Sequence, residues 1–165
     1  MPWINLTARR GALSPQKRHA LFADLTSALM FWEKVPDTPE ARSFMKGWYY
    51  EVAHDADYNG GIHEHERPFY FIEVRMPAGR LSTLDRLGIM RDFTKLVMMA
   101  EGSDMNPENV RRVWVTIVDI DRDNWGIGGS TDWLRSYTSA LDSIHSELKD
   151  GPEAKAGESR EGKIS

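Results

Sequence analysis

Proline stands directly after the initiator methionine, as Pro2. Removal of Met1 before so small a residue would leave a secondary amine as the chain terminus. Such an amine ionises near about 7.7–8.0, far below lysine. Burial beside cations disfavours its charged form and lowers the value further, which would make Pro2 a general base at neutral pH. With a higher value the same nitrogen is a protonated acid, and with neither role Pro2 merely opens a strand. Other spacings invite comparison. Gly61-Ile62-His63-Glu64-His65-Glu66 could turn two imidazoles to one side of an extended segment, but no third or fourth ligand follows at a metal-site spacing. Asp119, Asp121 and Asp123 alternate without the glycine and closing glutamate of a calcium loop. Gly126-Ile127-Gly128-Gly129 lacks the strand–turn–helix setting of a phosphate loop. The absence of cysteine excludes disulfides, thiolate catalysis, iron–sulfur clusters and cysteine-bound zinc. The expectation is that neither a metal nor a cofactor takes part.

The elements that must position Pro2 follow from an internal repeat. Pro2 to Arg9, Pro-Trp-Ile-Asn-Leu-Thr-Ala-Arg, matches Pro68 to Arg75, Pro-Phe-Tyr-Phe-Ile-Glu-Val-Arg. Both read as strands opened by proline. Farther on, Leu81-Ser82 answers Leu13-Ser14, Asp92 answers Asp24 and Thr94 answers Thr26. Trp114 and Val118 answer Trp48 and Val52, Asp121 and Asp123 answer Asp55 and Asp57, and Gly128-Gly129 answers Gly60-Gly61. The segments Phe69–Val74 and Val113–Val118 are dense in β-branched and aromatic residues, the composition of strands. Ser14-Pro15 is a cap followed by proline in a first helical turn, with Ala20, Leu21, Ala28 and Leu29 on one face, and Ser82 opens a second helix similarly. Met90, Phe93, Val97, Met98 and Met99 read as that helix's core residues.

Each half is therefore strand, helix, strand and Gly-Gly turn. A helix joining two such strands makes a right-handed βαβ unit with parallel strands. The expected fold is α/β (α+β): a tandem β-α-β repeat forming a four-stranded mixed sheet with two helices on one face. The first unit spans residues 1–61, a linker 62–67 and the second unit 68–129, all within one compact domain. A further helix is expected over 130–149, where Trp133, Leu134, Tyr137, Leu141, Ile144 and His145 recur at three and four residues. Residues 150–165, charged and Gly-rich, are expected to be a disordered tail. Trp3, Trp48, Tyr50, Tyr70 and Trp114 are more aromatic surface than the helix-free sheet face can hide, which predicts an oligomer formed through sheets.

Composition narrows the partners. The chain has 165 residues, 41% hydrophobic, with 21 Lys+Arg against 25 Asp+Glu and a formal net charge of −4. That balance argues against broad phosphate-backbone binding, so no nucleic-acid partner is expected. No apolar run approaches a membrane span and the N-terminus lacks a signal-peptide pattern. A soluble, cytoplasmic protein without a membrane partner is expected.

The proline after the initiator Met, the duplicated βαβ unit and the closing Asn124-Trp125-Gly126-Ile127-Gly128-Gly129 together resemble the tautomerase superfamily, the 4-oxalocrotonate tautomerase-like proteins. The likeness is to its fused two-unit members, the cis-3-chloroacrylic acid dehalogenase and malonate semialdehyde decarboxylase groups, and covers about residues 2 to 135. It implies a homotrimer built on sheet faces and a cofactor-independent isomerase acting on a small 2-oxo or enol carboxylic acid. In such a site Pro2 is the base, and Pro68, its nitrogen locked in an amide, cannot replace it. Arginine suits a carboxylate and a developing enolate, having a fixed charge and a bidentate fork. The resemblance assigns these tasks to Arg75 and Arg80, sets Trp125 as an aromatic wall over the proline and makes Asn124 a polar substrate contact. Arg10 could reach a neighbouring site.

Departures from the family weigh on the reaction. Where cis-type dehalogenases carry a histidine, a tyrosine and a water-activating carboxylate, this chain has Leu29, Thr116 and Ile127, which disfavours hydration and hydrolytic dehalogenation. The decarboxylase group carries an aspartate after a Val-Pro pair, and Val35-Pro36-Asp37, with Glu40 nearby, offers a loop match. Decarboxylation, or hydratase or dehalogenase activity, with protonated Pro2 as acid and Asp37 or a neighbour assisting is one alternative, a non-catalytic oligomeric scaffold another.

Overall fold

A computed structural model describes residues 2–62 and 66–132. Side-chain alternation builds its sheet. In β1 (Trp3–Arg9) and β3 (Tyr70–Pro77) every second residue is buried: Ile4, Leu6 and Ala8 in the first, Tyr70, Ile72, Val74 and Met76 in the second. With β2 (Lys46–Val52) and β4 (Val113–Ile120) they form one sheet in the order β2-β1-β3-β4. β1 runs parallel to β2 and β3 to β4, while β1 and β3 are antiparallel, with Trp3 opposite Arg75 and Ala8 opposite Tyr70. This is the mixed sheet of two βαβ units that the repeat predicts.

The connecting helices are α1 (Pro15–Glu33) and α3 (Thr83–Glu101). Ser14 Oγ accepts from Lys17 N at 3.3 Å and caps α1, whereas Ser82 and Asp85 cap α3 reciprocally. Gly102 ends α3 in the left-handed region at φ 89°, and Lys34 ends α1 there at φ 58°, where a side chain is tolerated at some cost. The buried stripe of α1 is Leu21, Leu25 and Leu29 with Met30 and Glu33, a repeat of three to four residues that leaves Ala20 exposed, contrary to its expected place on the core face. Phe93, Val97 and Met98 join the core from α3, while Met90 is half-buried and Met99 faces outward. Each fully buried Leu or Ile of this cluster contributes about 1.5–3 kcal/mol. Two short helices, α2 (Pro39–Ser43) and α4 (Pro107–Val110), precede β2 and β4. The sequence reading places no helix at either, although Thr38-Pro39 and Asn106-Pro107 carry the same cap-and-proline signal as Ser14-Pro15.

Because β1 and β3 are antiparallel, so are α1 and α3, and the end of one lies beside the start of the other. Lys34 Nζ stands 3.8 Å from Asp85 Oδ1. Trp32 lies against Gly88, where a Cβ would overlap its ring, and its Nε1 donates to Asp92 Oδ2 at 2.9 Å. On the helix-free sheet face Trp48, Tyr50, Phe71 and Trp114 are exposed. Tyr70, expected among them, is on the other face and buried, because the strand alternation turns it toward the helices.

The residues through Asp121 form one compact unit and those from Arg122 a second, of which 122–132 are described. The expected helix over 130–149 and tail over 150–165 lie almost wholly outside the described residues, as do His63 and His65. Among the described residues no helix is long and apolar enough to cross a membrane, and no group of three His, Cys, Asp or Glu is placed to hold a metal ion.

Candidate active site

The topology gathers several chain segments at one end of the sheet. Pro2, buried, precedes the first residue of β1. The antiparallel register places the end of β3 next to it, Arg75 pairing with Trp3, and Arg80 follows β3 in the turn that leads to α3. The last residue of α1, Glu33, comes to the same end because the helix of a βαβ unit returns to the start of its first strand. Pro2, Arg75 and Arg80, three residues singled out from sequence, are thus brought to one end.

Their environments differ. Arg75 projects from the helix-free face in line with Phe71 and Glu73. Its Nε donates to Glu73 Oε1 at 2.5 Å, and its guanidinium lies 5.9 Å from the Trp3 ring centre. That hydrogen bond from Arg75 holds the Glu73 carboxyl below the ordinary range, and Asn5 Nδ2 donates to the same oxygen at 3.3 Å. Arg80 is half-buried.

Glu33 was not singled out from the sequence. It is only 7% exposed, and no hydrogen-bond partner for its carboxylate is found among the described residues. Burial pushes its carboxyl from 4.5 up to about 7, against the opposing influence of the chain's amino-terminal charge and of Arg80. A carboxyl so tuned exchanges protons at neutral pH. The missed signal lay in the repeat: Glu33 and Glu101 close the two long helices at matching places, so one of them could have been compared with the other.

The remaining candidates have settings of their own. Asp37, just beyond α1, accepts from Arg42 through both oxygens, at 2.5 and 2.7 Å, and Arg42 also reaches Ser27 Oγ. The Arg42 hydrogen bond holds the Asp37 carboxyl below its usual range, so this aspartate is engaged in a structural pair. Arg10 follows the far end of β1, its N–H donating to Val52 O at 2.8 Å. At about 3.3 Å per residue it is roughly 25 Å from Pro2 of its own chain, so within a protomer the two are not brought together. Asn124 and Trp125 belong to the second unit. Asn124 ends a 3-10 turn over Arg122–Asn124 and is exposed, and Trp125, 5% exposed, donates its N–H to Arg122 O at 3.2 Å.

Solved structures with the same fold exist, although no protein-family model and no curated protein sequence matches the chain. One is N1, described as a member of the cis-3-chloroacrylic acid dehalogenase family: it is 18% identical, with 90% of this chain and 99% of that one covered and a TM-score of 0.66. A fused 4-OT described as an asymmetric trimer is 17% identical, with 80% of this chain and 97% of that one covered and a TM-score of 0.65. Pt0534, solved after inactivation by 2-oxo-3-pentynoate, is 19% identical, with 80% and 98% covered and a TM-score of 0.65. At these identities the likeness establishes the architecture: the chain has the fold of the fused, two-unit tautomerase-superfamily proteins.

Proposed function

We propose that this chain is a cofactor-independent tautomerase that moves a proton between carbon and oxygen of a small 2-oxo or enol carboxylic acid. After removal of Met1 the Pro2 amine takes the proton, and Arg80 holds the carboxylate and the enolate oxygen. Arg75 is the second arginine at this end, although a substrate carboxylate would have to share it with Glu73. Asn124 and Trp125 are proposed to contact the substrate. The observation that carries the reading is the meeting of buried Pro2 with Arg75 and Arg80 at one end of the sheet. A secondary amine in a buried, cation-bearing setting is the kind of base that neutral-pH enolisation needs.

The exposed aromatic face supports a homotrimer formed through sheets, and two fused 4-OT structures are described as trimers. The decarboxylase alternative is less well supported, because the carboxylate it would borrow, Asp37, is engaged by Arg42. Intact-mass analysis, followed by steady-state turnover of phenylenolpyruvate and 2-hydroxymuconate, tests the proposal. Loss of Met1 and measurable turnover support it. A retained Met1, or turnover equal in wild type and Pro2→Ala, would refute it.

A further inference from the structure

Among the described residues two acids are buried, Glu33 and Asp85. Asp85 is spent in the cap of α3, accepting from Ser82 N at 2.8 Å and Ser82 Oγ at 2.6 Å. Glu33 has no such duty, and the proton-transfer scheme above leaves it unused. We propose that Glu33 and the Pro2 amine share one exchangeable proton, so that Glu33 sets when the amine is free to act as a base; this rests on the reading of Pro2 given above.

Three observations carry it. The βαβ topology brings the end of α1 back to the start of β1, so Glu33 and the chain terminus occupy one end of one unit. Burial with no ion-pair partner among the described residues makes a carboxylate costly, and the cheap state is one that keeps a proton. The matching acid of the second half, Glu101, is treated differently: Arg112 donates to it at 2.8 and 2.5 Å and Tyr70 at 3.2 Å. In the first half Ile4 occupies the place of Tyr70, and Lys46, in the register position of Arg112, is exposed and gives its Nζ to Ser43 O at 2.9 Å. Among the described residues the charge bearing on Glu33 is that of Arg80, with the Lys34–Asp85 pair at the same end.

The shared step is a simple exchange. An N–H bond of the Pro2 ammonium breaks, its electron pair stays on nitrogen, and the proton bonds to a Glu33 carboxylate oxygen. Both charges vanish and nothing is oxidised or reduced. The freed amine then takes a proton from the substrate. Glu33 acts through Pro2 and is a positioning residue in this scheme.

The test uses full-length protein whose loss of Met1 is confirmed by mass. Labelling of Pro2 by 2-oxo-3-pentynoate, an electrophile for neutral amines, is followed by mass spectrometry from about pH 5 to about pH 9. Glu33→Gln removes the charge at constant size, and a thermal melt confirms that it folds. Its labelling midpoint is expected to move to lower pH by about one unit or more, since a neighbouring carboxylate stabilises the ammonium. Glu33→Asp is expected to return the midpoint toward wild type. Coinciding wild-type and Glu33→Gln midpoints would overturn the role of Glu33 while leaving Pro2 as the amine. A wild type that is unlabelled at Pro2 at every pH would overturn the reading of Pro2 itself, and the proton sharing with it.

Discussion

Glu33 and Glu101 close helices of equal length, 19 residues, at equivalent points of the two halves. Burial pushes the Glu101 carboxyl up, but hydrogen bonds from Arg112 and Ser103 more than offset it and leave it below the ordinary range. Arg112, 4% exposed, also donates to Pro68 O at 2.7 Å and so ties the end of α3 to the start of β3. The second half thus uses its glutamate as a structural clamp beside a proline whose nitrogen is an amide. The first half has the same backbone with Ile4 and Lys46 in place of the clamp's partners, and its glutamate is left as a buried acid at the Pro2 end of the sheet. One architecture gives the same carboxylate two different settings, decided by the residues on the facing strands.

The sharpest way to break the comparison is to alter the prolines. Pro2→Ala is expected to cut turnover of phenylenolpyruvate by roughly 10²–10⁴-fold, the worth of a positioned general base, whereas Pro68→Ala should leave kcat within about twofold. Equal losses in steady-state assays would erase the distinction between the halves. Next in size is the clamp. Glu101→Gln leaves Arg112 buried without its counter-charge and should cost about 3 kcal/mol in urea unfolding. Glu33→Gln at about pH 8 should not destabilise the protein, since it removes a carboxylate that the fold holds at a penalty.

The pH dependence of stability gives a third test. Folded Glu33 keeps its proton up to about pH 7, while the unfolded side chain releases it near 4.5. The folded state therefore binds more protons in that window, and stability should fall as pH rises through it. The total is up to roughly 3 kcal/mol, superposed on the titration of other groups. Denaturant titrations across this window should show that fall in wild type and a shallower one in Glu33→Gln. A smaller effect is expected of Arg80→Lys, which keeps the charge and loses the fork: kcat/KM should fall about 10-fold, chiefly through KM.

Most of the architecture was legible because several local signals agree. Prolines open β1 and β3, Ser14 and Ser82 cap the long helices, and the repeat fixes the pairing of halves. Tyr70 was misplaced because strand composition reveals a strand but not which face each aromatic takes; the phase of the alternation comes from Ile72 and Val74. Pro2 could be proposed from the sequence because the chemistry of a terminal amine depends on sequence position alone. Glu33 was not, since a glutamate at a helix end ordinarily reads as solvated. Only the tertiary burial of that helix end, with Ile4 and Lys46 supplying no counter-charge, gives it a different character. Asp37 failed as a free carboxylate for a related reason: its partner Arg42 lies in a short helix the sequence reading left out.

The central claim, that the Pro2 nitrogen carries the exchangeable proton, is tested most directly by nitrogen NMR on protein labelled with 15N-proline. The account predicts that the Pro2 signal is that of a free secondary amine titrating between about pH 6 and about pH 8, with Pro68 invariant as an amide. A Pro2 signal in the amide range that does not move with pH would contradict it.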